Sequence, residues 1–324
     1  TIVHYILERF FGEYTKEEYL SLEEDKFQKI VCAYLTEYAD KYFGEEQLES
    51  NSFTYRLKTI LDNVMYLMKH IMEELSQSEF FVADCELKIG EDIPSYTIVL
   101  PDGHKIAVCG SVDRVDIMQR ADITYLRIID YKTGTKQFKL SDILYGINLQ
   151  MLLYLHSIEA SGGDKYGEIV PAGILYMPAT VPYISSDSLK SIDKLPDELN
   201  KKLKMNGLLL KDTEIIHGMD KTDVATYIPV KIKAGEPVSS TSLATLAEFG
   251  KIFKKVDMLI AEMGKNIYNG NIEAKPLKGG HDSCEYCPYD SVCAYRQSNP
   301  ITCFSVDNKT VIEEITNEIN GKEE

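Results

Sequence analysis

Two strand-like runs, each interrupted or ended by a carboxylate, constrain this chain most. They cover Ile106–Met118 and Ile123–Tyr131 and are joined by a short polar turn, which predicts a β-hairpin. Residues two apart on a strand share a face, so Asp130 and Lys132 continue an otherwise apolar row. Asp113 interrupts the first run in the same way. Because charge on a core-facing row is costly without partners, the hairpin predicts a cluster of interacting charged groups.

The carboxylates of Asp113 and Asp130 can converge on one divalent cation, since they lie on neighbouring strands. Oxygen ligands suit Mg²⁺, and Lys132 would then orient an attacking water or stabilise developing negative charge. The alternative is an exposed hairpin whose charges are solvated, which a lone D-x-K pattern would favour. The full spacing D-(x16)-D-x-K, followed by a run with Q-x-x-x-Y, favours the metal site.

A helix-like run begins at about Ser141. Its apolar face recurs at intervals of three and four residues: Ile143, Ile147, Gln150, Tyr154 and Ile158. Gln150 interrupts this face, and a buried amide needs hydrogen-bond partners. The pattern leaves two interpretations open, a structural amide satisfied within the core or an amide that reaches the metal site or a DNA phosphate.

The motifs GSVDRVD, IIDYKTG and QMLLY resemble those of the RecB-like branch of the PD-(D/E)xK nucleases, and within it the AddB family. The resemblance extends from His4 to about Arg296. It implies an α/β, restriction-endonuclease-like fold with a mixed sheet flanked by helices, to which this chain adds a helical layer. It also implies a Mg²⁺-dependent exonuclease domain of a helicase–nuclease that processes double-strand DNA ends for recombinational repair. The substrate would be single-stranded DNA produced by unwinding, and the partner an AddA-type helicase subunit.

The resemblance further implies which residues form the site. The catalytic set comprises Asp113, Asp130, Lys132, Gln150 and Tyr154. The metal would be held by Asp113 and Asp130 with His4 as a third ligand. Glu86 matches a glutamate of the family, and either a ligand or outer-shell role or an ordinary surface position on a strand is open to it.

A cysteine cluster follows in the C-terminal part of the chain. Cys284, Cys287 and Cys293 have the spacing C-x2-C-x5-C, which places three thiolates within one compact loop. The resemblance implies a structural [4Fe–4S] cluster in the parent protein. Its fourth cysteine would precede His4 and so be absent from this sequence. A zinc-binding interaction module with His281 as fourth ligand is the alternative.

Composition limits the remaining possibilities. The formal net charge of −16 opposes indiscriminate DNA binding, so the chain alone is expected to hold DNA weakly. No run of 18 or more apolar residues exists, which argues against a transmembrane helix. Seven cysteines, an odd number, fit reduced thiols in the cytoplasm better than a disulfide framework.

The chain divides into four predicted segments. Residues 1–78 form an N-terminal helical layer, 79–184 the catalytic core, 185–244 an added segment, and 245–324 a C-terminal helix with the cysteines. A non-catalytic DNA-binding or scaffolding domain of a repair complex is the competing function. The complete set of acids and lysine argues against that alternative.

Overall fold

The computed structural model describes residues 2–44, 50–132, 134, 137–181, 195–239, 241–289, 291–293, 295 and 300–323. The N-terminal helices are α1 (Ile2–Glu13), α2 (Lys16–Leu20), α3 (Glu24–Tyr42) and α4 (Asn51–Ser76). Thr15 caps α2 through a capping box with Glu18, which satisfies backbone N–H groups that the first turn leaves unpaired. These helices lie within residues 1–78, and α1 packs on the first strand of the sheet.

The strands that follow the N-terminal helices are β1 (Phe81–Ile89), β2 (Tyr96–Val99), β3 (Lys105–Val108), β4 (Gly110–Arg120) and β5 (Ile123–Lys132). They are followed by a 3-10 helix (Leu140–Tyr145), α5 (Gln150–Ser161), α6 (Gly163–Tyr166) and β6 (Glu168–Pro178). β4 and β5 form the predicted antiparallel hairpin. β6 then pairs in parallel with β5, and α5 lies in the crossover between these two strands.

The later elements are α7 (Leu195–Leu203), β7 (Asn206–Leu210), α8 (Thr213–Met219), β8 (Lys231–Lys233), β9 (Glu236–Val238) and β10 (Leu243–Ala244). The chain continues with α9 (Leu246–Tyr268), β11 (Leu277–Gly279), β12 (Ile301–Cys303) and α10 (Asn308–Glu323). The described residues form a six-stranded mixed sheet of order β1-β4-β5-β6-β7-β10. β7 and β10, which lie within the predicted added segment 185–244, thus belong to the main sheet.

The predicted single strand Ile106–Met118 is two strands. β3 pairs with β2 around the Asp102–Gly103 turn, where Gly103 has a φ of +87°, and Cys109 separates β3 from β4. β4 joins β1 instead, beginning at the Gly110–Ile89 pair. The apolar run Ile106–Met118 thus belongs partly to the β2–β3 hairpin and partly to the main sheet. Its alternating pattern did not predict the break at Cys109.

The helix predicted from Ser141 begins at Gln150. Gly146 and Asn148 have φ values of +68° and +55°, and left-handed backbone cannot continue a right-handed helix. Asn148 Nδ2 donates a 2.6 Å hydrogen bond to Asp142 Oδ2, which holds this turn in place. Gln150 consequently lies in the first turn of α5 and is exposed, rather than buried on an apolar stripe.

A buried lysine links the last two helices. Lys255 of α9 is buried and pairs with Glu318 of α10 at 2.5 Å, which fixes the C-terminal helix to the domain.

Within the described parts of the chain, no helix has both the length and the apolar character needed to cross a bilayer.

Candidate metal-dependent active site

Three side chains from α1, β1 and β4 come together at one end of the sheet. One ligand atom from each of His4, Glu86 and Asp113 lies within 4.8 Å of the other two. His4 Nδ1 is 2.9 Å from Glu86 Oε1, and His4 Nε2 is 3.7 Å from Asp113 Oδ2. A histidine nitrogen and carboxylate oxygens at these separations are a donor set for a divalent cation.

The sheet register aligns three acids on neighbouring strands. Glu86 on β1 falls opposite Asp113 on β4, because the residue pairs on either side of them are in register. Asp113 in turn faces Asp130 on β5, one step beyond the Arg114–Ile129 pair. The hairpin therefore brings Asp113 and Asp130 together, as the sequence predicted. Asp130 lies outside the group of three that His4 completes.

The backbone at Glu86 is unusual for a residue inside a strand. Its φ is +52°, in the left-handed region that non-glycine residues rarely adopt. Such a conformation persists only where the surroundings enforce it. Here His4 Nδ1 and Ser111 Oγ contact the two carboxylate oxygens of Glu86, and Ser111 donates a 3.0 Å hydrogen bond to Oε2.

The electrostatics of the group are coupled. The hydrogen bond to Glu86 raises the pKa of His4, although burial opposes the shift. The same bond lowers the pKa of Glu86. Burial raises the pKa of Asp113, and the neighbouring carboxylates of Asp130 and Glu86 add to this, while the Tyr131 N–H and His4 oppose it. A cation would relieve the cost of placing these carboxylates together.

The backbone N–H of Tyr131 donates a 2.9 Å hydrogen bond to Asp113 Oδ2, which fixes the carboxylate of one hairpin strand to the other. Next to it on β5, Asp130 is only 6% exposed. Lys132 Nζ lies 2.5 Å from Asp130 Oδ2, but the contact lacks the directionality of a hydrogen bond. The lysine also lies 5.5 Å from the centre of the Tyr176 ring, on the strand next to Asp130.

Helix α5 approaches the same strands through Tyr154. A Cβ added to Gly110 would lie 2.2 Å from the Tyr154 hydroxyl oxygen, so only glycine leaves room for this ring. Gly110 is the first residue of the motif GSVDRVD. Because it has no side chain, Tyr154 can pack against the start of β4, three residues before Asp113. Gln150, one turn earlier on α5, presents its exposed amide to solvent.

The sequence matches the PD-(D/E)XK nuclease superfamily over residues 1–294. The chain belongs to this superfamily. The nuclease prediction and the predicted α/β fold are thereby confirmed. The three strands that carry Glu86, Asp113 and Asp130 belong to the six-stranded mixed sheet of this nuclease.

Relatives of this nuclease include three proteins, each named as a subunit of an ATP-dependent helicase/deoxyribonuclease. The protein from Thermoanaerobacter sp. (strain X514) is 35% identical over 86% of this chain and 24% of its own length. The one from Alkaliphilus oremlandii (strain OhILAs) is 32% identical, covering 98% and 29%, and the one from Clostridium kluyveri (strain NBRC 12016) is 36% identical, covering 83% and 24%. The chain thus spans about a quarter of the length of these relatives, and the expected resemblance to the AddB family is confirmed.

The nuclease also contains a buried charged network that the sequence patterns did not predict. It consists of Glu74, Arg114, Asp116 and Arg127, each at most 1% exposed. Arg114 donates from Nε and Nη2 to Asp116 at 2.6 and 2.7 Å, and from Nη2 to Glu74 at 3.0 Å. Arg127 donates to Asp116 at 3.0 Å and to Glu74 at 2.6 Å. Burial opposes the charge on Asp116, yet the two arginines hold the pKa of that carboxyl below its ordinary value.

The cysteine segment of this nuclease supplies none of the three side chains in the candidate metal group. Cys284 and Cys287 are half-buried and Cys293 is exposed. Among the residues that the structure describes, these three thiols do not form a group within 4.8 Å of one another. Their donor chemistry suits a cluster, but three separated thiols are not by themselves a complete site.

Proposed function

We propose that this chain is a Mg²⁺-dependent deoxyribonuclease domain that hydrolyses phosphodiester bonds of single-stranded DNA. The observation that carries the proposal is the convergence of His4, Glu86 and Asp113 beside the Asp130–Lys132 pair. Membership of the nuclease superfamily supports hydrolysis of a phosphodiester, and the names of the relatives support DNA as substrate.

The donor set fits a hard divalent cation. Asp113 and Asp130 supply carboxylates, and His4 supplies an imidazole nitrogen. Because His4 Nδ1 lies against Glu86, an Nδ1–H that donates to this carboxylate leaves the Nε2 lone pair facing Asp113. Glu86 is accordingly assigned the orienting role, which favours the outer-shell alternative. When bound, Mg²⁺ would offset negative charge on the phosphate and favour deprotonation of the attacking water.

The remaining residues act on the phosphate and the water. Lys132 carries its charge next to Asp130, where it can orient the water and stabilise the charge that develops on the phosphate oxygens. The exposed amide of Gln150 can donate a hydrogen bond to a DNA phosphate or accept one from Lys132. Tyr154, fixed against Gly110, supports the strand that presents Asp113.

The biological setting follows from the relatives. We infer that the chain works as the exonuclease part of a helicase–nuclease that processes double-strand ends for recombinational repair, with an AddA-type helicase as its partner. Such a setting fits the net charge of −16, since an associated subunit would supply basic surface for the DNA. It also implies a cytoplasmic location, consistent with seven free cysteines.

The cysteine segment receives a structural role. Cys284, Cys287 and Cys293 would supply three thiolates to a [4Fe–4S] cluster of the intact protein, joined by a thiolate from outside this sequence. The cluster would hold the C-terminal segment against the rest of the protein and take no part in hydrolysis. Zinc, with His281 as a fourth ligand, is the competing occupant.

The direct test is cleavage of end-labelled single-stranded DNA by the intact protein. We expect cleavage with Mg²⁺, loss of cleavage after chelation with EDTA, and recovery when Mg²⁺ is restored. Cleavage that persists undiminished in EDTA would refute the metal-dependent assignment.

A further inference from the structure

A groove of about 780 Å³ lies between α7, the β8–β9 hairpin and the residues that lead into β7. Of the nine described residues that line it, none is acidic and four are lysines: Lys201, Lys204, Lys231 and Lys233. We call it the lysine groove. Lys201 is paired with Glu198 at 2.6 Å. The whole chain has 51 acidic and 35 basic residues, so a surface with lysines alone departs from the charge of the chain around it.

The β8–β9 hairpin supplies two exposed lysines to one wall. Lys231 and Lys233 lie two apart on β8, so their side chains share a face, and both line the groove. Glu236 lies opposite Lys233 in the hairpin, but its carboxylate accepts a 2.6 Å hydrogen bond from the Thr213 hydroxyl. Among the residues that the structure describes, no carboxylate forms an ion pair with Lys231 or Lys233. Both ammonium groups are therefore accessible to a ligand in the groove.

Lys204 lies on the other wall and is held in place by backbone oxygens. Its Nζ donates hydrogen bonds to the carbonyl oxygens of Ala225 and Val230, at 2.6 and 3.0 Å. Burial lowers the pKa of Lys204, and the positive charge of Lys231 adds to this, while the carboxylate of Asp220 opposes it. The lysines of the two walls thus repel each other, and an anion between them would offset that repulsion.

The sheet register places the groove at the same end of the sheet as the candidate metal centre. Asp130 is paired with Tyr176 on β6, and Tyr176 with Asn206 on β7. Neighbouring strands are about 4.8 Å apart, so the backbone of Asn206 lies roughly 10 Å from that of Asp130. Met205, the preceding residue, lines the groove. The side-chain oxygen of Asn206 also accepts a 2.7 Å hydrogen bond from the N–H of Phe138, in the segment that follows β5.

The charge and the position of the groove suit one ligand class. A cleft lined by charges of one sign concentrates ligands of the opposite sign. Lysine ammonium groups on flexible stems contact successive phosphates as point charges, without reading the bases. An acidic protein segment is the other polyanion that lysines attract. The position of the groove two strands from Asp130 favours DNA, because the proposed function brings a DNA strand to this end of the sheet.

We propose that the lysine groove binds the phosphate backbone of the DNA strand that enters the candidate metal centre, with Lys231 and Lys233 as phosphate contacts. This inference rests on the proposed nuclease function, which supplies DNA as the ligand. It also agrees with a net charge of −16, because favourable contacts with phosphates are confined to the groove rather than spread over the surface.

The test measures binding separately from cleavage. Fluorescence anisotropy of a labelled oligothymidylate is followed with the intact protein in EDTA, so that no Mg²⁺-dependent hydrolysis occurs. Each phosphate contact on a single strand contributes about 0.7 to the slope of log Kd against log salt, so Lys231→Gln/Lys233→Gln should reduce the slope by about 1.4. At about 0.1 M salt this difference corresponds to a Kd raised about tenfold or more. An oligonucleotide of mixed sequence should show the same change, since phosphates carry no base information.

Two matched variants control for charge and for structure. Lys26→Gln/Lys29→Gln removes the same charge from two exposed lysines of α3 that do not line the groove, and should keep the wild-type slope. Lys231→Arg/Lys233→Arg keeps the charge and should also keep the slope. Melting temperatures should be unchanged, because the substituted side chains are exposed. Where the glutamine pair of the groove melts early, Lys233→Gln alone replaces it, with half the change in slope.

The outcomes for the groove and for the proposed function are distinguishable. A groove variant that melts normally and keeps the wild-type slope and Kd overturns the groove, whatever the cleavage assays show. A wild-type slope for DNA together with groove-dependent binding of polyglutamate would also overturn it, and would assign the groove to an acidic protein. An equal loss of DNA binding in Lys26→Gln/Lys29→Gln would overturn it as a general effect of charge. Groove-dependent binding by a protein that fails to cleave would support the groove and count only against the nuclease function.

Discussion

Lys132 Nζ lies 2.5 Å from Asp130 Oδ2, so the two charged residues that end strand β5 form a pair at the candidate metal centre. Asp130→Asn keeps the size of the side chain but removes the charge that a cation and Lys132 require. Lys132→Ala removes the group that would stabilise charge on the phosphate. We expect each change to lower Mg²⁺-dependent cleavage about a hundredfold or more, with a melting temperature near that of wild type.

The assay compares wild type and both variants on single-stranded DNA, within the complex that the intact protein forms. Lys165→Ala is a suitable control, because this lysine also lies 2.5 Å from a carboxylate oxygen, that of Asp84 on β1, outside the candidate metal group. Cleavage by Asp130→Asn or Lys132→Ala at the wild-type rate would contradict the catalytic assignment.

Substitution of Gln150 tests whether its amide has a structural or a functional role. Because it is exposed in the first turn of α5, Gln150→Leu should leave the melting temperature unchanged. We expect cleavage to fall sharply, since leucine cannot donate a hydrogen bond to a phosphate. Normal melting together with normal cleavage would show that Gln150 has no part in the site.

The His4–Glu86 pair makes a prediction about pH. Glu86 raises the pKa of His4, and a protonated imidazole cannot bind a cation, so metal affinity should fall as pH falls through that raised pKa. Glu86→Gln keeps an oxygen beside His4 Nδ1 but removes the charge, which should move this loss of affinity to lower pH. Binding of Mn²⁺, followed by electron paramagnetic resonance between about pH 5 and 8, measures both.

A direct-ligand role for Glu86 gives a different result. Metal affinity in Glu86→Gln would then be lower at every pH, and the pH at which affinity falls would not move.

Folding stability depends on pH in the opposite direction to metal affinity. The His4–Glu86 pair stabilises the fold most below the ordinary histidine pKa of about 6.5, and this contribution is lost as pH rises through the raised pKa of His4. Thermal unfolding at the two ends of the range checks that sign.

How much of this site can be predicted from sequence depends on how local each interaction is. Asp113, Asp130 and Lys132 could be placed because a strand alternates with period two and a hairpin joins neighbours. The left-handed backbone of Glu86 could not, since His4 and Ser111 contact its carboxylate from other elements. No periodicity encodes such contacts.

The helix carrying Gln150 shows the same limit. Its apolar spacing continues back to Ser141, and the pattern therefore predicted one helix. The break depends on left-handed conformations at Gly146 and Asn148, the latter held by a side-chain contact to Asp142. A prediction from sequence assigns a non-glycine residue such as Asn148 to right-handed backbone, and it therefore misses the turn before α5.

The cysteine segment predicts a cofactor that elemental analysis can identify. Iron and sulfide analysis, with visible absorption, on the anaerobically purified intact protein should show about four irons and four sulfides for a [4Fe–4S] cluster. Cys287→Ser should remove the iron, whereas Cys32→Ser, on helix α3, should not. Stoichiometric zinc without iron would refute the cluster and support the zinc alternative.

The buried network of Glu74, Arg114, Asp116 and Arg127 makes the last prediction. Its members come from α4, β4 and β5, with a separation of 40 residues between Glu74 and Arg114 and 53 between Glu74 and Arg127, so no local pattern could signal it. Arg114→Met would leave two carboxylates buried with a single arginine. We expect a loss of about 3–5 kcal/mol in the free energy of unfolding, because breaking a buried ion pair leaves an uncompensated charge.

Two comparisons test whether the cost comes from the unpaired charge. Arg120→Met on the same strand removes a 40% exposed guanidinium that pairs with Glu79, and should cost about 1 kcal/mol or less. Replacing all four network residues with apolar ones of similar size should cost much less than Arg114→Met alone, since no charge is left buried. Urea denaturation measures all three variants. A quadruple variant less stable than Arg114→Met would show that the network stabilises this nuclease through its ion pairs themselves.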